Sequence, residues 1–150
     1  MIRKNPSINI LLADDDADDR MMFTDAFKEL KMNTSVKTVN DGKELMDYLN
    51  DENTVLPNIL FLDLNMPVKN GLQCLKEIRS TPHLKELVVV IYSTSSSEKD
   101  IEDTFVKGAN VYITKPASFG KLKEVLSRVV SLNWQYQTSG LDKQTFLLNL

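Results

Sequence analysis

The chain has 150 residues, 42% of them hydrophobic, which is enough for one domain with its own core and too few for two ordinary ones. A formal charge of −3 excludes a broadly basic surface, so no nucleic-acid partner is expected and any important charge must be local. The single cysteine, Cys74, excludes a disulfide framework, and no stretch approaches the roughly 20 apolar residues of a membrane span or carries a secretion signal, so a cytoplasmic protein is expected.

The first strand-like run, Ile8 to Ala13, leads into Asp14-Asp15-Asp16. Met22, Phe23, Ala26, Phe27 and Leu30 follow at helical spacing, with Asp16 or Asp18 placed to cap the helix start. Ser35 to Val39 predicts a short strand, Asn40-Asp41-Gly42 a turn, and Gly42 to Asn50 a helix turning Leu45, Met46 and Leu49 inward. The run Ile59 to Leu62, bounded by Pro57 and Pro67, ends abruptly in Asp63, and a continuous apolar run of this kind suits a strand covered on both faces. Asn70-Gly71 opens a helix carrying Leu72, Leu75 and Ile78, with Cys74 a small, half-buried core residue in it, and His83 falls in the loop beyond. Val88 to Tyr92 runs into Ser93-Thr94-Ser95. Ser97 and Asp100 have capping-box spacing for a helix from Glu98 to Lys107 that Gly108 ends. Val111 to Thr114 runs into Lys115-Pro116, and Leu122, Val125, Leu126, Val129 and Val130 mark a fifth amphipathic helix.

Five strands alternating with five helices imply an α/β, flavodoxin-like doubly wound parallel sheet, expected in the order 2-1-3-4-5. Residues 1–132 form the expected domain and 133–150 a less regular tail, with no room after Lys115 for a separate output domain. In such sheets ligands sit beyond the carboxyl ends of the strands. Those ends carry Asp14, Asp15, Asp63, Ser93 and Lys115, an inventory suited to holding a cation and a phosphoryl group. Three gathered carboxylates repel one another, which raises a pKa or demands a cation. Taken alone, the acidic run at 14–19 also fits a solvated helix start, the reading kept for Asp16, Asp18 and Asp19. A calcium loop is disfavoured because Asp19 stands where the sharp turn needs glycine.

With Asp14-Asp15, the Asp63-Leu64-Asn65-Met66-Pro67 segment, Asn70-Gly71, Ser93 and Lys115-Pro116, the chain resembles the receiver domain of two-component response regulators, stand-alone chemotaxis-type members included, over residues 8 to 130. The resemblance implies a signalling module, not an enzyme, that assists its own phosphorylation and dephosphorylation. Asp63 would accept the phosphoryl group from a histidine kinase or phosphotransfer protein. Mg²⁺, or Mn²⁺, would be held by Asp15, Asp63 and the carbonyl of Asn65, with Asp14 acting mainly through water. Lys115 would bond Asp63 and then the phosphoryl oxygen, aimed by a cis peptide before Pro116. Ser93 would be the switch hydroxyl, Thr94 would stand where the family usually has a smaller residue, and the Tyr112 ring would turn inward as the loop before helix four moves. The face of helix four, strand five and helix five would then meet a downstream target protein, with a homodimer left open. A haloacid-dehalogenase-like phosphohydrolase is the enzyme-class rival, but it wants an acid two residues after the nucleophile, where Asn65 stands. An interaction module of the same fold without phosphorylation is the third reading.

Overall fold

Runs of apolar residues without polar alternation become the middle of the sheet and one of its edges, and the one alternating run becomes the other edge. The computed structural model describes residues 7–136, with side chains through residue 132. Its strands are β1 (Ile8–Ala13), β2 (Thr34–Val39), β3 (Ile59–Leu62), β4 (Val88–Ser93) and β5 (Val111–Thr114). All four pairings are parallel, as the alternation of strands and helices predicts, and their order, β2-β1-β3-β4-β5, is the one expected of a flavodoxin-like sheet. Every residue of β3 is buried, whereas β2 alternates between exposed and half-buried positions before closing on buried Val39.

The helices are α1 (Ala17–Glu29), α2 (Gly42–Asn50), α3 (Gly71–Ser80), α4 (Glu98–Val106) and α5 (Phe119–Tyr136). Strand residues alternate between two cores. Leu11, Leu60, Leu62, Val89, Ile91 and Tyr112 face α2 and α3, meeting Leu45, Leu49, Cys74, Leu75 and Ile78. Ile10, Leu12, Phe61, Val90, Tyr92 and Ile113 face α1 and α5, meeting Phe23, Phe27, Leu122, Leu126 and Val129. On that side Phe23 packs edge-on against Phe61 and Tyr92, with centroids 5.0 and 5.7 Å away. The inward stripe of α1 is narrower than the sequence suggests. Phe23, Ala26 and Phe27 are buried, Leu30 has become the C-cap, and Met22 stays 38% exposed, one helical step off the stripe.

Side chains set the helix ends. Asp16 caps α1 by accepting from the N–H groups of Asp18 and Asp19. Asn70 caps α3, and Gln73 completes the reciprocal bond to the Asn70 N–H. Ser97 caps α4, but Asp100 does not return the bond; its carboxylate accepts the Ser95 hydroxyl at 2.6 Å. At the other end of α4, Gly108 takes φ +98°, and the N–H groups of Gly108 and Ala109 turn back to the carbonyls of Phe105 and Thr104. Helix α5 continues through Tyr136, past the expected boundary at 132; the rest of the expected tail lies outside the described residues. No helix among the described residues is long and apolar enough to cross a membrane.

Candidate functional site

Register brings the chemistry together. Ala13 pairs with Leu62 across β1 and β3, so the next residues, Asp14 and Asp63, emerge side by side. The ladder carries on past the strands: the Asp63 N–H donates to the Ala13 carbonyl, and the Lys115 N–H donates to the Ser93 carbonyl. Asp14 is fully buried, Asp63 is 5% exposed and Asp15 is exposed to solvent. One carboxylate oxygen from each lies within 4.8 Å of the others.

Burial pushes the Asp63 carboxyl up to about 6; the Lys115 charge opposes this, and Asp14 and Asp15 add to it. The Asn65 N–H donates to Asp63 Oδ1 at 3.3 Å. The loop after Asp63 is tight. Val68 sits at φ +70°, and the Lys69 N–H closes on the Pro67 carbonyl, forming a γ-turn of the strained kind. Gly71 is required beneath it, since a Cβ there would stand 2.2 Å from the Asp63 carbonyl oxygen.

Lys115 is nearly buried, its side chain 9% exposed. Its Nζ lies 2.8 Å from Asp14 Oδ2, 2.8 Å from Asp19 Oδ2 and 3.6 Å from Asp63 Oδ2. Burial lowers the Lys115 pKa, but the contacts with Asp14 and Asp19 and the charge of Asp63 outweigh it and raise it overall. The Asp14 contact is one of charge: although close to the ammonium, Oδ2 is buried and has no partner in hydrogen-bonding geometry. Asp14 Oδ1 accepts from the Asp16 N–H, and Arg20 Nη1 donates to the Asp14 carbonyl. An oxygen-only donor set with a buried carboxylate oxygen short of partners fits a hard divalent cation.

Two expectations are corrected here. No cis peptide occurs among the described residues, so the bond before Pro116 is trans, the intrinsically favoured isomer, and Lys115 reaches its carboxylates without the alternative. Asp19 is not merely a solvated acid at a helix start, because it holds Lys115 across 96 positions of sequence. Its one sequence signal is its place a helical turn before buried Phe23, on the stripe that faces the sheet. Asp16 and Asp18 are exposed.

On the β4 side, Ser93 is fully buried and its hydroxyl accepts from the Ser95 N–H, while Thr94 is exposed. The Tyr112 ring already lies inside, fully buried, with its hydroxyl donating to the Ser95 carbonyl at 2.8 Å. Through Ser95 and its bond to Asp100, Tyr112 is tied to the first turn of α4. Asp100 carries no sequence signal for this role beyond its capping position. Cys74 is wholly buried, its thiol pushed up to about 11 by burial, and His83 is an exposed turn residue after α3.

Residues 10–127 match the family model of the response regulator receiver domain. The chain is 31% identical over 131 residues to response regulator Rcp1 of Synechocystis, covering 85% of this chain and 89% of that one. It is likewise 31% identical over 123 residues to the probable methanogenesis regulatory protein FilR2 of Methanothrix harundinacea, covering 80% of this chain and 79% of that protein. Among solved structures, the phosphorylated cyanobacterial phytochrome response regulator RcpA superposes with a TM-score of 0.80 at 34% identity, covering 89% of this chain and 98% of that one. The Mn²⁺-bound form of Rcp1 gives 0.76 at 29% identity, covering 90% and 99%.

Proposed function

The chain belongs to the response regulator receiver domain family, and from that membership we propose that it is a phosphorylation-controlled switch in which Asp63 accepts a phosphoryl group from a histidine kinase or phosphotransfer protein. The observation that carries this reading is the placement of Asp63: 5% exposed at a strand end, with Asp14 and Asp15 beside it and the Lys115 ammonium 3.6 Å away. A carboxylate so placed is held in line by its ladder bond and its loop, and phosphoryl transfer takes most of its catalysis from positioning and electrostatics.

An Asp63 carboxylate oxygen attacks phosphorus, the P–N bond of the donor phosphohistidine breaks, and the imidazole leaves with the electron pair. Lys115 follows the new charge from the carboxylate to a phosphoryl oxygen. Asp14, Asp15, Asp63 and the main-chain carbonyl of Asn65 are the residues that would hold Mg²⁺ or Mn²⁺, with Asp14 acting mainly through water; the bound ion would neutralise charge on the phosphoryl oxygens. The Mn²⁺-bound Rcp1 structure supports this cation class.

The Ser93 hydroxyl then turns to the phosphoryl group, which draws on the loop of Thr94 and Ser95 and, through Tyr112, on the face of α4, β5 and α5. That face would meet a downstream target protein or a second copy of the chain, in the cytoplasm. In the test, the full chain is incubated with acetyl phosphate and Mg²⁺ and weighed intact. The wild type gains one phosphoryl group, Asp63→Asn gains none, and Lys115→Ala is phosphorylated but switches poorly. Label retained by Asp63→Asn rejects the assignment, and a wild type that never gains mass leaves the interaction-only reading.

A further inference from the structure

We propose that Asp19 is a positioning residue that holds the Lys115 ammonium away from Asp63 until a phosphoryl group competes for it. This rests on the reading of Asp63 as phosphoacceptor. Lys115 Nζ sits 2.8 Å from both Asp14 and Asp19 but 3.6 Å from Asp63, so the ammonium is shared between two acids and stands off the third. Its hydrogen bond in donor geometry goes to Asp19, so closing the distance to a phosphoryl oxygen on Asp63 draws the ammonium off an existing contact.

The contact that yields is set by solvation. Asp14 is fully buried, and releasing it would strand a charge without water. The Asp19 side chain is 32% exposed, so water can take the place of the ammonium there at small cost. The contact spans the gap between the first turn of α1 and the end of β5, which makes arrival of the phosphoryl group a competition between two anions for one cation. Loss of the group returns Lys115 to Asp19.

Asp18 supplies the control. It lies in the same turn, carries the same charge and is exposed, and its N–H, like that of Asp19, donates to Asp16 Oδ1. A general field effect on an anion would appear in either residue; a competition for Lys115 appears only in Asp19.

The experiment titrates the full chain with beryllium trifluoride, a non-covalent stand-in for the phosphoryl group, in the presence of Mg²⁺ by calorimetry, with helix content checked by circular dichroism. Asp19→Asn is expected to tighten binding by about fivefold, the scale of a partly exposed ion pair. Asp18→Asn leaves the affinity unchanged, and Asp19→Glu returns it toward wild type. In a Lys115→Ala background Asp19→Asn adds nothing, because there is no ammonium to release. Equal tightening in Asp18→Asn, a gain that persists without Lys115, or unchanged or weaker binding in Asp19→Asn overturns the inference while leaving the phosphoacceptor reading intact. A wild type that binds no beryllium trifluoride overturns that reading, and the inference with it.

Discussion

The Asp63 carboxyl is pushed from its ordinary 3.8 up to about 6 by burial, which Lys115 only partly offsets, so the folded chain carries this charge at a cost to its own stability. The sign follows from proton binding. Between pH 3.8 and about 6 the folded state holds the proton more tightly than the unfolded state, so stability falls as pH rises through that window. Asp63→Asn is therefore expected to stabilise the metal-free chain by up to about 3 kcal/mol at pH 7, a gain that fades as the pH drops toward 4. Urea denaturation in EDTA at several pH values measures it; a gain independent of pH would contradict the burial account. Asp14, Asp63 and Lys115 are legible in the sequence because each directly follows an apolar run, and parallel register carries strand ends to one edge. Asp19 is not, because its partner comes from an element 96 positions away. The Tyr112 orientation is also hidden, because it depends on the backbone of a loop, through the Ser95 carbonyl.

Arg79, at the end of α3, shows what joins elements at the opposite end of the sheet from that chemistry. Its Nε donates to the Gly108 carbonyl, Nη1 to the carbonyls of Lys85 and Leu87, and Nη2 to Asn110 Oδ1, which also accepts from the Val89 N–H. One guanidinium thus ties the end of α3 to the α4 terminus and to the starts of β4 and β5. Burial lowers its pKa, and the ring of neutral acceptors is what allows a charge to sit there. Arg79→Ala is expected to destabilise the chain by about 2 kcal/mol, as part-buried carbonyls lose a charged donor, and to speed amide exchange at Gly108 and Ala109. Phosphorylation by acetyl phosphate should survive, since none of these bonds touches the acid cluster; its loss would show that the two ends of the sheet are coupled. Helix positions are legible where capping spacing is explicit, as at Ser97 and Gly108. The Arg79 clamp is not, since a lone arginine in an amphipathic helix looks like any surface residue until the loops fold over it.

At the scale of the whole molecule the switch must be strong enough to move a population. Driving an equilibrium from 1:99 to 99:1 takes about 5.5 kcal/mol, more than one new hydrogen bond supplies, so Ser93, Lys115 and the bound cation have to act together. If the acids hold Mg²⁺, the ion binds the folded chain and not the unfolded one. At a hundredfold excess over its dissociation constant it should add about 2.7 kcal/mol, seen as a rise in the thermal midpoint that Asp15→Asn reduces. No such rise in the wild type would argue against a resident divalent ion. The doubly wound architecture is legible, because four apolar runs and one alternating run, interleaved with five amphipathic segments, leave a parallel sheet as the economical arrangement. Because every strand runs the same way, the opposite rim of the sheet carries the turns that lead from helix to strand but none of the aspartates of the site, and one of these turns leads from α2 into β3 past Val55, which is 73% exposed. That rim is a natural insertion point: a fluorescent protein spliced into the turn at Val55 would ride on the scaffold as a reporter, with the full depth of the sheet between it and the aspartates.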